Sequence, residues 1–275
     1  MRLQDLHTHS LFDDGTTSLE DMVRAAIGKG LSGIGLSGHS PIEPKDGWTM
    51  DPTALADYLA EVQCLKQVYG DQIDVFCGIE YDLCSDLDLS GFDFVIGSLH
   101  SITTPDGKFD VDNTARIAKK GVDRYFGGDA DAAAEAYFAQ YAAMAKNPDI
   151  DIVGHFDLLT KFDERASLYD AKSPRFLDAA FAAMELLVKA GKIFELNSGA
   201  ISRGYRTAPY PSELLLRRLR ALNGKIILNS DAHSAEGIGY FFKEMLSYAE
   251  NCGFTELYQL KNGSFSLVPI SEIEI

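Results

Sequence analysis

The chain has 275 residues, 46% of them hydrophobic, enough to bury a full core, and one α/β barrel of about 250 residues would use nearly all of it. With 41 acidic against 25 basic side chains the formal net charge is -16, so there is no basic stripe, and neither duplex nucleic acid nor an anionic membrane surface is the expected partner. The same carboxylate excess suits bound divalent cations, which would create a locally attractive site for an anionic substrate such as a phosphate ester.

No run approaches the roughly 18 apolar residues of a membrane span. Cys64, Cys77, Cys84 and Cys252 lack zinc-type C-x-x-C spacing, and a chain this long needs no disulfide staples, so free thiols in a reducing cytoplasm are expected. A cleaved secretory leader is not expected either, because its removal would take away candidate ligands that begin at His7. The expected protein is soluble and cytoplasmic, with one domain over 1–275 and an oligomeric state that the sequence does not specify.

Seven short β-like runs follow one another along the chain: Leu3 to His9, Ser32 to Ser37, Asp74 to Glu80, Phe92 to Ser98, Ile150 to Gly154, Lys192 to Asn197 and Lys225 to Asn229. Between the first two lies a well-marked helix, with Ser18 as N-cap, Asp21 three residues on, the apolar set Met22, Val23, Ala26 and Ile27, and a stop at Gly28 and Gly30. Further helices are expected after Pro52, Pro174 and Pro211. Strands alternating with helices imply a parallel sheet, and seven of them in one domain imply a barrel or a nearly closed one, with its active site at the C-terminal ends of the strands. One connection, 102–149, is far longer than the others. It carries Pro105-Asp106-Gly107, the polar stretch Asp110-Val111-Asp112-Asn113 and an alanine-rich helix from about Asp131 to Lys146. Its first half is either a lid over the site or an ordinary crossover with a padded loop.

All six histidines, His7, His9, His39, His100, His155 and His233, stand at or just past the end of one of these runs. Scattered core or surface histidines would not share one edge of the sheet. In Asp5-Leu6-His7-Thr8-His9, residues two apart on a strand share a face, so Asp5, His7 and His9 are expected inside the barrel and Leu6 and Thr8 against the helices. Glu80 ends the apolar run Val75-Phe76-Cys77-Gly78-Ile79, where a carboxylate is costly to bury alone. A cation must compensate it, and its two oxygens can bridge ions about 3.5–4 Å apart. Asp231-Ala232-His233 repeats the two-residue spacing after Ile226-Ile227-Leu228. Asp14, in Asp13-Asp14-Gly15-Thr16, and His39 sit in the first two β/α loops, although a D-D-G-T run is most often a turn.

Asp5-Leu6-His7-Thr8-His9-Ser10, Asp14-Gly15, Gly38-His39, Gly78-Ile79-Glu80, Gly97-Ser98-Leu99-His100, Gly154-His155 and Ser230-Asp231-Ala232-His233 resemble the motifs of the PHP (polymerase and histidinol phosphatase) family. The runs 94–100 and 154–162 are similar to its histidinol-phosphate phosphatase branch. The resemblance implies a distorted, TIM-like seven-stranded β/α barrel with a trinuclear metal site, in which two to three divalent ions are expected to bind. It implies that His7, His9, Glu80 and Asp231 hold the first ion, that Glu80, His100 and His155 hold the second, and that Asp14, His39 and His233 hold the third. Imidazole and carboxylate accept zinc, iron and manganese alike. Glu80, Asp231 and His233 are the expected catalytic positions. The mechanism expected of such a centre is attack on phosphorus by a hydroxide that two cations share, with charge on the phosphoryl oxygens neutralised by the ions and nearby arginines.

Phosphate clamps are expected on the same rim: Lys161 past the fifth strand, and Arg203 and Arg206 in the loop after the sixth, the arginines preferred for their bidentate fork. Asp5 is expected either to orient a ligand imidazole or to serve as a structural carboxylate. Asn197 and Ser198 are candidates for contact with substrate, and Trp48 and Tyr205 for flanking an imidazole ring. The expected activity is hydrolysis of histidinol phosphate in histidine biosynthesis. The alternatives are another phosphomonoester, a nucleotide bisphosphate or single-stranded nucleic acid, and, less favoured, amidohydrolase-type C–N hydrolysis, since Glu80 stands where that barrel uses a modified lysine.

Overall fold

The structure, a computed structural model, describes residues 1–43 and 46–274. The strands in chain order are β1 (Gln4–Asp5), β2 (Gly33–Leu36), β3 (Asp74–Asp82) and β4 (Phe94–Ser98), then a hairpin of β5 (Ser101–Thr104) and β6 (Gly107–Asp110). They continue with β7 (Ile152–Val153), β8 (Ile193–Asn197) and β9 (Lys225–Asn229), and end in a second hairpin, β10 (Glu256–Lys261) and β11 (Ser264–Pro269). Seven of them form one sheet in the order β1-β2-β3-β4-β7-β8-β9, with every neighbouring pair parallel. The sheet closes on itself through a single bridge, where the His9 N–H donates to the Ala232 carbonyl at 2.8 Å and the Ala232 N–H to His7 at 3.2 Å. The bridge lies between four of the candidate ligands, His7 and His9 on one side and Asp231 and His233 on the other.

The helices are α1 (Leu19–Gly28), α2 (Leu55–Tyr69), α3 (Ala115–Phe126), α4 (Ala130–Ala143), α5 (Asp163–Ala166), α6 (Pro174–Lys189), α7 (Gly199–Ser202), α8 (Glu213–Ala221) and α9 (Phe242–Asn251). Local chemistry sets their starts. Ser18 caps α1 by accepting the Asp21 N–H, and Ser173 caps α6 by accepting the Phe176 N–H, with Pro174 in the first turn where no amide hydrogen is needed. The long connection contributes the β5–β6 hairpin, α3 and α4. The alanine-rich stretch forms α4 and ends in a short 3-10 turn at Met144–Lys146.

The apolar interior divides in two. A large cluster lies between sheet and helices, and a smaller one, Leu6, Phe94, Ile96, Ile152, Ile193, Ile227 and Leu260, fills the barrel. Along β8 and β9 the plug residues Ile193 and Ile227 precede Glu195 and Asn229 by two residues, so the inner face carries the apolar plug below and polar side chains above, toward the strand ends. Leu6 therefore does not face the helices as expected. Asp5 lies off the inner row, accepting the Ser230 N–H at 3.0 Å, the Ser230 hydroxyl and the Gly239 N–H at 2.8 Å, and it touches no ligand imidazole. The cause is that only Gln4 and Asp5 pair as strand. Strict alternation ends there and does not carry through to His7 and His9. The C-terminal hairpin is held to the barrel by Gln4, whose side-chain amide exchanges hydrogen bonds of 2.8 and 2.9 Å with the backbone of Leu260.

Candidate metal centre

Glu80 is the hub. Its Oε2 lies 2.7 Å from His39 Nδ1, 3.2 Å from His7 Nε2 and 3.6 Å from His9 Nε2, and its Oε1 lies 2.9 Å from His155 Nε2 and 3.5 Å from His100 Nε2. Asp231 Oδ1 is 3.3 Å from His9 Nε2 and 3.9 Å from His7 Nε2, while Asp14 Oδ1 is 3.3 Å from His233 Nε2 and 3.7 Å from His39 Nε2. The nine residues taken as ligands from the sequence thus converge. Their donor atoms close to within 4.8 Å in three groups: His7, His9 and Glu80; His39, Glu80 and His100; and His9, Asp14, His39 and His233. His39 joins the second of these groups as well as the third. His155 and Asp231 stand outside all three groups, His155 in hydrogen-bonding contact with Glu80 and Asp231 3.3 Å from His9 Nε2.

The buried polar atoms show that this cluster fits cations. His7 Nε2, His9 Nε2, His39 Nδ1 and Glu80 Oε2 are fully buried and have no hydrogen-bond partner among the described residues. Each such atom costs about 1–3 kcal/mol if left unpaired. All four point into one space, and nitrogen with carboxylate oxygen is a donor set for borderline divalent ions.

A second ring of carboxylates fixes the imidazoles, and the sequence reading missed it. Glu195 Oε1 lies 2.6 Å from His7 Nδ1, and Oε2 accepts the His155 backbone N–H at 2.9 Å. Asp13 Oδ2 lies 2.7 Å from His9 Nδ1 and accepts the His39 backbone N–H at 2.8 Å. Asp82 Oδ2 lies 3.0 Å from His100 Nδ1. With Nδ1 donating to a carboxylate, Nε2 of each ring carries a lone pair for an ion. Two of these residues left traces in the sequence: Glu195 is the one charge inside the apolar run Ile193–Asn197, and Asp82 lies two residues past Glu80 because β3 runs further than its apolar core.

Electrostatics follow from packing so much charge together. Burial works against a protonated His7, but Glu195, Glu80 and Asp231 outweigh it and hold its pKa well above the ordinary imidazole value. For His9, burial is likewise overcome by Asp13, Asp231 and Glu80, and its pKa rises to about 10. His100 is raised by Glu80 and Asp82 against its own burial. Burial would raise Glu80 and Asp231, yet the imidazoles, and Arg203 for Asp231, pull both well below the usual carboxylate range.

The ligands open onto a cavity of about 300 Å³ whose far wall includes Trp48, Asp112, Asn113, Lys161, Arg203 and Tyr205. Asp112 and Asn113 come from the long connection, which therefore forms part of the wall. Lys161 Nζ donates to the Asp112 backbone carbonyl at 2.9 Å and lies 5.1 Å from the centre of the Tyr205 ring. Arg203 donates to Asp231 Oδ2 at 3.0 Å and to His233 Nδ1 at 2.8 Å. Arg206 is not in the lining. Its guanidinium bonds Thr160 Oγ1 at 2.8 Å, sits 3.7 Å from Asp157 and stacks 4.3 Å from the centre of the Tyr210 ring, so its charge is already engaged. Trp48 packs edge-on to His39 with ring centres 4.6 Å apart. Asn197 reaches Asp231 at 3.4 Å, whereas the Ser198 hydroxyl turns away to the Tyr240 carbonyl.

A parallel barrel with a polynuclear His/carboxylate centre at its strand ends defines a metal-dependent hydrolase. Residues 5–199 match the PHP domain, and the chain belongs to the PHP domain family. It is similar to the probable histidinol-phosphatase of Schizosaccharomyces pombe, 27% identical over 270 residues covering 89% of this chain and 84% of that protein. It is also similar to the histidinol-phosphatase of Bacillus subtilis, 23% identical over 90% of this chain and 99% of that one. Among solved structures its fold is similar to histidinol phosphate phosphatase of Lactococcus lactis, solved with zinc, L-histidinol and phosphate, with a TM-score of 0.73, 22% identity and coverage of 96% of this chain and 99% of that chain. The protein is a PHP-family metal-dependent phosphoesterase. Among the described residues no helix is long and apolar enough to cross a membrane.

Proposed function

We propose that the protein is a phosphomonoesterase that hydrolyses L-histidinol phosphate to L-histidinol and phosphate, a step in histidine biosynthesis. The observation that carries the reading is the convergence on Glu80 of ligand atoms for more than one ion, beneath a cavity that also holds Arg203 and Lys161. Similarity along nearly the whole chain to histidinol-phosphatases supports this substrate over other esters.

His7, His9, Glu80 and Asp231 would hold a first ion, Glu80, His100 and His155 a second, and Asp14, His39 and His233 a third. Bound ions of zinc, iron or manganese supply Lewis acidity that activates water near neutral pH and offsets charge on the phosphoryl group. The remaining work falls to the chain. Arg203 presents a fork at the cavity wall and grips the phosphoryl oxygens, its attachment to Asp231 fixing the fork beside the centre. Lys161 adds a second positive charge from the neighbouring loop after β7. Trp48 and Tyr205 offer flat apolar faces to the ring of the leaving group, and Asp112 and Asn113 shelter the cavity from solvent.

The test is phosphate release by metal-loaded protein from L-histidinol phosphate, beside other phosphomonoesters, a nucleotide bisphosphate and single-stranded DNA. Selective turnover of L-histidinol phosphate is the expected result. Brisk turnover of another member with none of this ester would keep the centre and discard the substrate.

A further inference from the structure

Glu195 and Asp13 share a geometry that goes beyond orienting one ring. Each buried carboxylate takes the Nδ1 of one ligand and the backbone N–H of a different ligand: His7 with His155 for Glu195, and His9 with His39 for Asp13. In the ligand sets above, those partners serve different ions. Asp82, by contrast, receives the ring and the backbone N–H of the same residue, His100. We propose that Glu195 and Asp13 are positioning residues that couple the loading of neighbouring ions, so that the centre fills as a cooperative set and not as independent sites.

Glu195 is completely buried and both its oxygens are used, so it cannot turn toward His7 without also moving the backbone at His155. Filling the first position draws His7 Nε2 toward its ion, fixes Glu195, and thereby sets the position of His155 before the second ion arrives. Asp13 is fitted as tightly: a Cβ on Gly38 would lie 2.9 Å from its Oδ2, so the bare glycine is what admits the carboxylate beneath His39. Its second oxygen is also occupied, by the Ser10 N–H at 2.8 Å. Ordering one ligand lowers the cost of ordering the next, which is positive coupling between sites.

Glutamine has the shape of Glu195 but only one accepting oxygen. With that oxygen toward His7, its NH2 group meets the His155 N–H, donor against donor. With the amide reversed, the NH2 group donates to His7 Nδ1 and leaves the proton on Nε2, where no lone pair remains for an ion. Glu195→Gln therefore breaks one link in either orientation. Asp13 receives both of its links on Oδ2, so an asparagine with its oxygen there would keep them, whereas Asp13→Ala removes both.

This inference rests on reading the cluster as a metal centre, and one experiment separates the two. Metal-stripped wild type, Glu195→Gln and Asp13→Ala are titrated with Zn²⁺ alone, following binding by calorimetry and chelator competition and the fold by circular dichroism. Expected is steep, cooperative uptake by the wild type, with loss of steepness and affinity weakened about 10–100-fold in the variants. Wild type that takes up its ions independently overturns the coupling, even if a variant fails to fold. Folded variants with the wild-type isotherm overturn it as well. No Zn²⁺ uptake by the wild type would instead overturn the metal centre itself.

Discussion

Arg203 holds Asp231 at two points, with Nη2 3.0 Å from the carboxylate Oδ2 and Nη1 3.0 Å from the backbone carbonyl. Asp231 has a left-handed backbone, with φ of 53°, a conformation that aspartate tolerates better than most residues and that here turns its carboxylate toward His9. The arginine thus stabilises the bend and supplies the charge that a buried anion needs.

Removing that fork is expected to weaken phosphate binding. Arg203→Ala should raise KM for a phosphomonoester about 10-fold or more, from the loss of a charge-assisted hydrogen bond of about 1.5–3 kcal/mol. Steady-state phosphate release is the readout, and unchanged KM and kcat would remove Arg203 from the site.

Gly199 makes room for the same pair. A Cβ there would lie 2.4 Å from Asp231 Oδ2 and 2.8 Å from Arg203 Nη2. Gly199→Ala should displace both groups, lowering stability by about 1–3 kcal/mol and weakening metal binding. Thermal unfolding with and without Zn²⁺ checks both effects; a Tm and a metal-induced shift equal to wild type would contradict the crowding.

The imidazoles give the metal-free chain a defined pH response. His9 has its pKa raised from 6.5 unfolded to about 10 folded, and His7 and His100 are also raised. Raised histidines contribute stability that is complete below pH 6.5 and is lost as pH climbs through the folded pKa. Tm of metal-stripped protein should therefore fall between pH 6.5 and 10, and metal uptake should release protons and tighten as pH rises. Calorimetry in buffers of different ionisation enthalpy measures the release, and a value of zero would contradict protonated ligands.

Trp48 is a wall of the cavity as well as a neighbour of His39. Trp48→Ala should reduce kcat/KM for an ester with a flat ring more than for a small aliphatic phosphate. Equal losses on the two substrates would assign Trp48 to packing of His39 alone.

The barrel was legible because its strands are short apolar runs separated by capped helices, and the cluster around Glu80 because its members other than Asp14 stand at or just past the ends of such runs. Both hairpins went unread, since neither is a strand-helix unit. Asn262-Gly263, with φ of 49° and 75°, is a strong turn cue for the second hairpin, but the strand count had ended at Asn229. Asp5 was given the wrong face because the periodicity of a strand was extended past its last paired residue. Glu195, Asp13 and Asp82 escaped for a different reason: which nitrogen of an imidazole meets which carboxylate is decided by packing between elements as much as 188 residues apart, as for His7 and Glu195. Arg206 looked equivalent to Arg203 in the same loop, and only the fold shows it spent on Asp157, Thr160 and Tyr210.

The most direct test is phosphate release from L-histidinol phosphate by one preparation as purified, after stripping with a chelator, and after restoring zinc, iron or manganese, with Glu80→Ala in parallel. The account predicts turnover that disappears on stripping, returns with metal, and is lost about a hundredfold or more in Glu80→Ala whatever metal is added. Turnover that persists in the stripped protein, or in Glu80→Ala, would contradict a reaction built on this centre.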